Sequence, residues 1–384
     1  TYRLLRITDI QDNKVNWDTV PFTDYENEKA EAYLLKDGDI LFARTGATVG
    51  KSYLVNNLKE KAIYASYLIR VQTNHYVLPA FVKYFFESGF YWEQVLGNSV
   101  GIGQPNVNGT ILSNLELPIP PIMEQKRIVK ELGEWLSIID KIEESKGRIQ
   151  KVISLAKSKV LDLAIHGKLV PQDPTDEPAT ELLKRINPKA EITCDNGHYQ
   201  KLPKGWVITS ISEMCENING LWKGKKEPFV KVGVIRNANF TKDFKLDYSK
   251  IEYIDVEERA FKKRHLLNGD LIVEKSGGSD NNPVGRAILY EGKDAIFSFS
   301  NFTMVLRIHY KDVLSYKYLY YYIMSKYQKG EMRLMQTQTT GLHNLILDKY
   351  LDIPLCLPPY QEQQRIINKI EETFGVLDLI MENL

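Results

Sequence analysis

The longest regular pattern of apolar and polar positions in the chain lies between Ile122 and Ile165. Apolar residues recur there at alternating steps of four and three, with one interruption at Lys146. This spacing is the a/d heptad pattern of a coiled-coil seam, and no proline falls inside it. It predicts one continuous helix about 65 Å long. The seam positions are Ile128, Leu132, Trp135, Ile139, Ile142, Ile149, Ile153, Ala156, Val160 and Leu163.

The C-terminal segment repeats this pattern and predicts a second long helix. Both predicted helices follow a pair of prolines and begin with Glu-Gln-x-Arg-Ile, so that Glu124 corresponds to Glu362 and Arg127 to Arg365. Two helices with matching seams in one chain can pair with each other, which leaves the rest of the chain as two globular halves. The seam positions of the second helix are Ile366, Ile370, Thr373, Leu377, Ile380 and Leu384.

The two halves that precede the long helices are also related in sequence, which predicts an internal repeat. Their β-branched and aromatic runs predict short strands, and each half adds one or two small helices and a polar loop. The predicted fold class is therefore α+β, with two similar domains. The corresponding segments are 35–41 with 267–272, 43–55 with 274–290, 62–71 with 295–308, the helices 81–88 with 316–325, and the polar loops 97–109 with 336–344.

These patterns divide the chain into five parts. The expected parts are a first domain at 1–121, a central helix at 122–168, a linker at 169–201, a second domain at 202–359 and a second helix at 360–384. The opening Leu-Pro-x-Gly-Trp of the second domain has no counterpart before Thr1, and the second helix stops short of the first. We therefore expect a sequence that is trimmed at both ends.

The linker contains Pro171, Pro174 and Pro178, which favour an extended connector, and a short helix is predicted at 179–186. Gly167 is a candidate for the residue that ends the central helix. A stiff linker would set the second domain at a definite place, whereas a flexible tether would not, and the sequence leaves both open.

Composition is that of a globular protein, with 43% hydrophobic and 26% charged residues. No apolar run reaches the ~20 residues of a membrane span. The three cysteines lie far apart and the six histidines show no ligand spacing, which favours a reducing, cytoplasmic setting and predicts no metal site. The net charge of +1 argues against a lone, tight DNA binder, so DNA binding would need local basic surfaces or a basic partner.

Two short motifs resemble catalytic or nucleotide-binding sequences without meeting their requirements. The Gly46-to-Ser52 segment resembles a phosphate-binding P-loop, but it has three residues between its glycines instead of four and leads into a strand-like run. Leu357-Pro-Pro-Tyr360 resembles the Asn/Asp-Pro-Pro-Tyr motif of amino-methyltransferases, but leucine cannot accept the hydrogen bonds of a target amino group. No catalytic triad or paired carboxylates with recognisable spacing are visible. We therefore predict no catalytic residues.

The polar loops are the candidate sites for DNA contact. Arginine and lysine in glycine-rich loops suit phosphate contacts, and Asn, Gln, Arg, Ser and Thr suit contacts with base edges. A solvated surface loop is the alternative, but these loops fall at the same place in both halves and differ in sequence, as two readers of different targets would. The candidate residues are Arg44, Thr45, Thr48, Lys51, Ser99, Gln104, Asn106, Asn108, Lys275, Ser276, Ser279, Asn281, Asn282, Arg286, Arg333, Gln336, Thr337, Gln338, Thr339 and His343.

The chain resembles the specificity subunit of a type I restriction–modification system. The best matching segment runs from Leu163-Ala-Ile-His-Gly-Lys-Leu-Val-Pro to Gln-Asp-Pro174 and continues with Asp176-Glu-Pro-Ala179. The Pro-Pro-x-x-Glu-Gln-x-Arg-Ile helix starts and the Leu-Pro-x-Gly-Trp opening match as well. The resemblance covers nearly the whole chain and departs from the family at the missing head and tail.

This resemblance implies two target-recognition domains, each reading one half of a bipartite double-stranded DNA site. It implies long helices that pack antiparallel, relate the domains by a pseudo-two-fold axis, and dock two methyltransferase subunits, with restriction subunits in the full complex. S-adenosylmethionine, ATP and Mg would belong to those partners, and this chain would bind no cofactor and no membrane. Charged helix positions outside the seam either contact partners or are solvated: Arg127, Lys130, Glu134, Lys141 and Arg148.

Two other functions are compatible with parts of the sequence. One is a structural coiled-coil adaptor with two β-rich ligand-binding domains, which predicts no DNA binding. The other is an autonomous methyltransferase, and the absence of a glycine-rich cofactor loop after a strand argues against it. The specificity-subunit interpretation accounts for the repeat, the helices and the loops together.

Overall fold

The chain forms two compact units, Thr1–Ser145 and Lys146–Leu384. The computed structural model describes residues 1–11, 13–44, 50–97, 109–188, 202–221, 224, 226–339 and 341–384. No helix within these ranges is long and apolar enough to cross a membrane.

Two three-stranded sheets build the first unit, and each has a mainly apolar central strand. In sheet order the strands are Phe22–Thr23, Tyr2–Leu5 and Ala62–Tyr64 in one sheet, and Ser52–Leu54, Ile40–Ala43 and Leu68–Val71 in the other. A small ladder joins Ile10–Gln11 to Lys14–Val15. The helices are Asn27–Ala30, Pro79–Phe85, Gly89–Gly97 and Gly109–Ser113, with 3₁₀ turns at Ile7–Asp9, Trp17–Thr19 and Glu31–Tyr33.

The segment 62–71, for which the sequence predicts strand structure, forms two strands that belong to different sheets. A turn at Ala65–Leu68 separates them, closed by a hydrogen bond of 2.9 Å from Leu68 N–H to the Ala65 carbonyl. The alternation in this segment is only partial and does not reveal the break. The chain thereby passes from one sheet to the other within a few residues.

Four sheets are described in the second unit. In sheet order they are Cys215–Asn219, Thr303–Ile308, Leu271–Glu274 and Ala287–Leu289; Glu252–Glu257, Phe229–Ile235 and Phe297–Phe299; Ser276–Gly278, Leu342–Leu345 and Gln336–Thr339; and the pair Pro354–Leu357 and Val207–Ser210. The shorter helices are Ala179–Ile186, Ile211–Met214, Glu258–Arg264, Tyr316–Gln328 and Leu347–Leu351, with 3₁₀ turns at Asn237–Asn239, Tyr248–Lys250 and Glu331–Met335.

Tyrosines of the Tyr316–Gln328 helix secure the strand that leads into the C-terminal helix. The buried hydroxyls of Tyr318 and Tyr322 donate to the carbonyls of Cys356 and Pro354 at 2.8 and 2.6 Å. Satisfying these hydroxyls allows large aromatic side chains to be buried without an unpaired polar group. The strand and the following helix are therefore fixed to the core of this unit.

The internal repeat is confirmed by equivalent turns in the two units. In the first, Asp39 accepts a hydrogen bond from Lys36 N–H at 2.9 Å, and in the second, Asp270 accepts one from Leu267 N–H at 2.8 Å. The glycines before these aspartates have φ angles of 95° and 91°, a left-handed conformation that glycine adopts without steric cost. Each turn delivers the chain into a fully buried strand, at Ile40 and at Leu271.

Both long helices are present, at Ile122–Ile165 and Tyr360–Glu382, and they pair antiparallel in the second unit. Lys157 forms an ion pair with Asp378 and lies 5.2 Å from the ring of Phe374, while the chain just beyond Ile165 approaches the start of the C-terminal helix. Buried residues of both helices share one core: Leu161, Ala164, Ile165, Ile366, Ile367 and Ile370. Seam residues Leu132, Trp135, Ile139, Ile142 and Ile149 of the central helix are exposed.

The first part of the linker is held against the C-terminal helix. Arg365 donates two hydrogen bonds to Asp176, at 2.6 and 3.1 Å, and Gln172 donates one to Glu362 at 3.1 Å. The predicted helix at 179–186 is present, and Gly167 has the left-handed conformation expected after a helix. The stiff alternative is therefore correct for the described linker residues up to 188.

Candidate nucleic-acid interface

In the second unit, two predicted DNA-facing segments that are far apart in sequence meet in one small sheet. The strand Leu342–Leu345 pairs antiparallel with Ser276–Gly278 on one side and Gln336–Thr339 on the other. The register places Ser276 and Thr337 on either side of Asn344, so these three side chains form a cross-strand row. The sheet provides a common scaffold for polar residues from both segments.

The expectation of a polar loop at 336–344 is wrong for most of its length. The segment is a hairpin in which Gln336, Thr337, Gln338 and Thr339 pair with Leu345, Asn344, His343 and Leu342. The Gln-Thr-Gln-Thr strand has no apolar positions, so hydrophobic alternation could not reveal it. A rigid strand holds side chains at more definite positions than a loop would.

A bulge next to Gly277 shapes the edge strand of this sheet. Gly277 has a φ angle of 104°, and the side-chain amide of Asn237 donates to the neighbouring Ser276 carbonyl at 2.6 Å. A Cβ atom at position 277 would lie 3.2 Å from that amide nitrogen. Glycine therefore suits this position both conformationally and sterically, and Asn237 fixes the path of the strand.

The exposed part of the surface is formed by the turn after this strand and by the neighbouring 3₁₀ turn. Ser279 N–H donates to the Asn282 carbonyl at 2.8 Å, and Asn282 N–H donates to the Ser279 hydroxyl at 3.2 Å. The turn is thereby closed by its own backbone and by the Ser279 hydroxyl, with Asn281 and Asn282 exposed. Arg333 and Thr337 are also exposed. Gln336 is half-buried, and its side-chain oxygen accepts a hydrogen bond from Val284 N–H at 3.2 Å.

Two of the candidate residues are occupied inside the protein instead of facing solvent. His343 is 5% exposed, with Nε2 3.5 Å from the Asp280 carboxylate. Arg286 lies 3.5 Å from the buried carboxylate of Glu274, donates to the Thr241 carbonyl at 3.3 Å, and packs over a phenylalanine ring. Burial raises the pKa of Glu274, and Arg286 opposes that rise. Both side chains are engaged with other residues of the unit, which argues against the direct DNA contact expected of them.

Lys275 stands at the end of the large sheet, beside a residue that the sequence did not single out. Its Nζ donates to the side-chain oxygen of Asn219 at 2.9 Å, and burial lowers its pKa. Asn219 ends the strand Cys215–Asn219, and Asn237 supports the edge strand as described above. Both are single polar residues in ordinary strand or turn contexts, so no sequence signal identifies them before the fold brings them to this surface.

The first unit has an equivalent hairpin at the same place in its fold. Gly50 N–H donates to the Ala43 carbonyl at 3.0 Å, as Gly285 N–H donates to the Glu274 carbonyl at 2.8 Å. Arg44 and Lys51 flank this hairpin and are exposed. Six candidate residues lie outside the described residues: Thr45, Thr48, Ser99, Gln104, Asn106 and Asn108. Gln338 and Thr339 lie in the strand Gln336–Thr339.

Comparisons with known proteins connect this architecture to one family. The family model for the type I restriction modification DNA specificity domain matches twice, at residues 6–152 and 203–382. The chain is 23% identical over 381 residues to the type I restriction enzyme StySPI specificity subunit of Salmonella potsdam, covering 98% of this chain and 76% of that protein. It is 21% identical over 380 residues to the EcoKI specificity subunit of Escherichia coli (strain K12), with the same coverage of 98% and 76%.

A solved structure has the same fold. It comes from work on the structural basis underlying complex assembly and conformational transition of the type I R-M system. It superposes with a TM-score of 0.69 and 16% identity, covering 100% of this chain and 86% of that chain. The two family matches fall on the two repeated halves and together cover most of the sequence. The chain therefore belongs to the type I restriction–modification DNA specificity family, the non-catalytic component that supplies DNA sequence recognition within these complexes.

Proposed function

We propose that this chain reads a bipartite DNA site, with one half-site contacted by each target-recognition domain. The observation that carries the proposal is the equivalent hairpin in both units, bordered by basic residues and followed by segments that have diverged in sequence. Equivalent scaffolds with different polar residues suit two different half-sites. The assigned domains are residues 1–121 and 202–359, with the long helices and linker between and after them.

In the second half-site, the proposed base contacts come from the hairpin at 336–345 and from the neighbouring turn at 279–282. Thr337, Asn281 and Asn282 are exposed and carry groups that hydrogen-bond base edges. Arg333 supplies an exposed positive charge for a phosphate. Arg286 and His343 are assigned to supporting these residues. In the first half-site, Arg44 and Lys51 are assigned to phosphate contacts at the mouth of the hairpin.

The long helices are proposed to dock two methyltransferase subunits, with restriction subunits joining the full complex. Seam residues Trp135 and Ile142 of the central helix are 57% and 62% exposed, and Leu155 and Leu379 are each 61% exposed. Apolar side chains in such rows are characteristic of surfaces that bind other helices. Other exposed apolar residues of these helices extend the rows: Met123, Leu132, Leu136, Ile138, Ile139, Ile149, Val152, Val376 and Ile380.

Catalytic cofactors are assigned to those partners. S-adenosylmethionine would serve the methyltransferase subunits, and ATP and Mg the restriction subunits. The near-neutral net charge of +1 fits a protein whose partners supply much of the phosphate contact. A cytoplasmic location is part of this proposal, because the partners and the DNA target would be met there.

Methylation mapping tests this function. The chain is co-expressed with its methyltransferase partner in a host that lacks modification, and the modified bases are sequenced. A split motif with a fixed gap is the expected result, and replacing Arg333 and Thr337 by alanine should alter modification of one half-site only. A complex that assembles but methylates no split motif would contradict the proposal. Failure to assemble would favour the coiled-coil adaptor function instead.

A further inference from the structure

Two exposed aromatic residues occupy the same position in the two units. The turn Ala65–Leu68 in the first unit corresponds to Ser300–Thr303 in the second, and each is closed by a backbone hydrogen bond of 2.9 Å between its first and last residues. The third residue of each turn is aromatic. Tyr67 is 64% exposed and Phe302 is 45% exposed.

The backbone carbonyl of each aromatic residue accepts a hydrogen bond from the N–H of the basic residue that begins the candidate DNA-contacting segment. The Tyr67 carbonyl accepts a hydrogen bond from Arg44 N–H at 3.0 Å. The Phe302 carbonyl accepts one from Lys275 N–H at 2.8 Å and another from Ser276 N–H at 3.1 Å. In both units the aromatic ring and the cation therefore project from adjacent strand ends of the same sheet.

A single exposed aromatic residue is common on protein surfaces and needs no explanation. Here the exposure recurs at equivalent positions of two repeats, although the flanking loops differ in sequence. Tyrosine and phenylalanine share the ring and differ in the hydroxyl group. The shared property is therefore an apolar face beside a positive charge, which is the chemistry that contacts stacked bases and the adjoining phosphate.

We propose that Tyr67 and Phe302 each contact DNA through the ring, one in each half-site, as an apolar wedge against a base step. Arg44 and Lys275 hold the neighbouring phosphate and so orient the ring. This inference rests on the proposed bipartite reading and adds a contact that is neither a hydrogen bond to a base edge nor a charge contact. Rings at these positions would contribute affinity that does not depend on salt.

The test uses the assembled complex with its methyltransferase and a duplex that carries the mapped site. Tyr67→Ala and Phe302→Ala should each weaken binding about tenfold or more, because loss of a base–aromatic contact has an effect of this size. The slope of log affinity against log salt concentration should stay unchanged, because no phosphate contact is lost. Tyr67→Phe and Phe302→Tyr, which keep the ring, should bind like the parent chain.

Duplexes with one scrambled half-site separate the two contacts. Tyr67→Ala should weaken binding to the duplex that keeps the half-site read by the first unit, and should not weaken binding further when that half-site is scrambled. Phe302→Ala should show the same dependence on the half-site read by the second unit. Tyr25→Ala and Tyr253→Ala are matched controls, since these residues are 45% and 57% exposed elsewhere in the same units. Thermal unfolding of every variant checks that the fold is retained.

The inference is overturned if the two alanine variants bind like the parent or no worse than the controls. It is also overturned if they lower the salt slope, which would indicate a charge contact, or if Tyr67→Phe weakens binding as much as Tyr67→Ala. A parent complex that binds no split site would instead refute the proposed function, so the two failures are distinguishable.

Discussion

Gln363 and Ser315 are joined by a buried hydrogen bond of 2.8 Å, in which the Ser315 N–H donates to the Gln363 side-chain oxygen. The Gln363 amide also donates to the carbonyls of Val313 and Pro358, at 2.9 and 3.0 Å. One side chain in the first turn of the C-terminal helix therefore satisfies three backbone groups. Gln125 makes the same three kinds of bond at the start of the central helix, to Leu78 N–H and to the carbonyls of Tyr76 and Pro120.

Replacing Gln363 by alanine should lower the free energy of unfolding by about 2 kcal/mol or more, since it leaves buried backbone groups unpaired. Thermal and denaturant unfolding of the purified chain measure the change. Gln361→Ala, at an exposed position of the same helix turn, is the control and should have little effect. A variant as stable as this control would show that water replaces the glutamine without cost.

The match between Gln125 and Gln363 could be anticipated from the sequence, because the seams and the Glu-Gln-x-Arg-Ile starts align at one constant offset. Long helices are the most predictable elements, since their apolar spacing persists over many turns. Their pairing is also predicted by the matching seams, but the extent of the paired region is not. The seam predicts which face is apolar, but Trp135 and Ile142 are exposed while Ile153 is buried. Only the three-dimensional arrangement distinguishes the part that is covered.

The sequence predicts candidate DNA-contacting segments but not how they are arranged in the fold. The polar composition of segments 275–286 and 333–344 is visible in the sequence, yet their union in one sheet depends on cross-strand pairing that has no hydrophobic signature. Polar residue type does not reveal orientation, and so His343 and Arg286 were expected at the surface. Glu274 forms an ion pair with Arg286, but the two residues are neighbours only because they face each other across the hairpin.

Glu362 gives the stability of the second unit a distinctive pH dependence. This carboxyl group is 1% exposed, and its oxygens accept hydrogen bonds from Trp206 Nε1–H and the Gln172 amide, each at 3.1 Å. Burial raises its pKa above the ordinary value of 4.5, although these donors act in the opposite direction. The native state therefore holds the Glu362 proton more tightly than the unfolded state does.

A carboxyl group with a raised native pKa favours folding at low pH, and this contribution is lost as pH rises from about 4.5 through the native pKa. Relative to the parent, Glu362→Gln should therefore gain stability as pH increases across that range. Parallel unfolding curves at several pH values measure the difference. Glu124→Gln, at the corresponding exposed position of the central helix, is the control. A parent–variant difference that is constant with pH would contradict the prediction.

Replacing Arg286 by alanine should mainly lower stability, whereas replacing Arg333 by alanine should mainly affect DNA binding. Arg286→Ala leaves Glu274 buried without its ion-pair partner and should cost about 3 kcal/mol or more of unfolding free energy. Arg333→Ala, at an exposed position, should change stability by less than about 0.5 kcal/mol. In the assembled complex it should instead reduce the salt slope of DNA binding by about one. The prediction would be wrong if Arg286→Ala were fully stable or Arg333→Ala left the slope unchanged.

The exposed seam of the central helix offers a direct test of partner docking. Trp135→Ser and Ile142→Ser each remove an apolar side chain that is more than half exposed, so the isolated chain should unfold at nearly the parent temperature. If these residues anchor a methyltransferase subunit, each substitution should weaken assembly about tenfold or more, because large apolar anchors dominate helix-docking interfaces. Sedimentation of the mixed subunits measures the affinity, with Glu143→Ser, at an exposed polar position of the same helix, as the matched control. If both seam variants assembled like the parent, the docking surface would have to lie on another part of the chain.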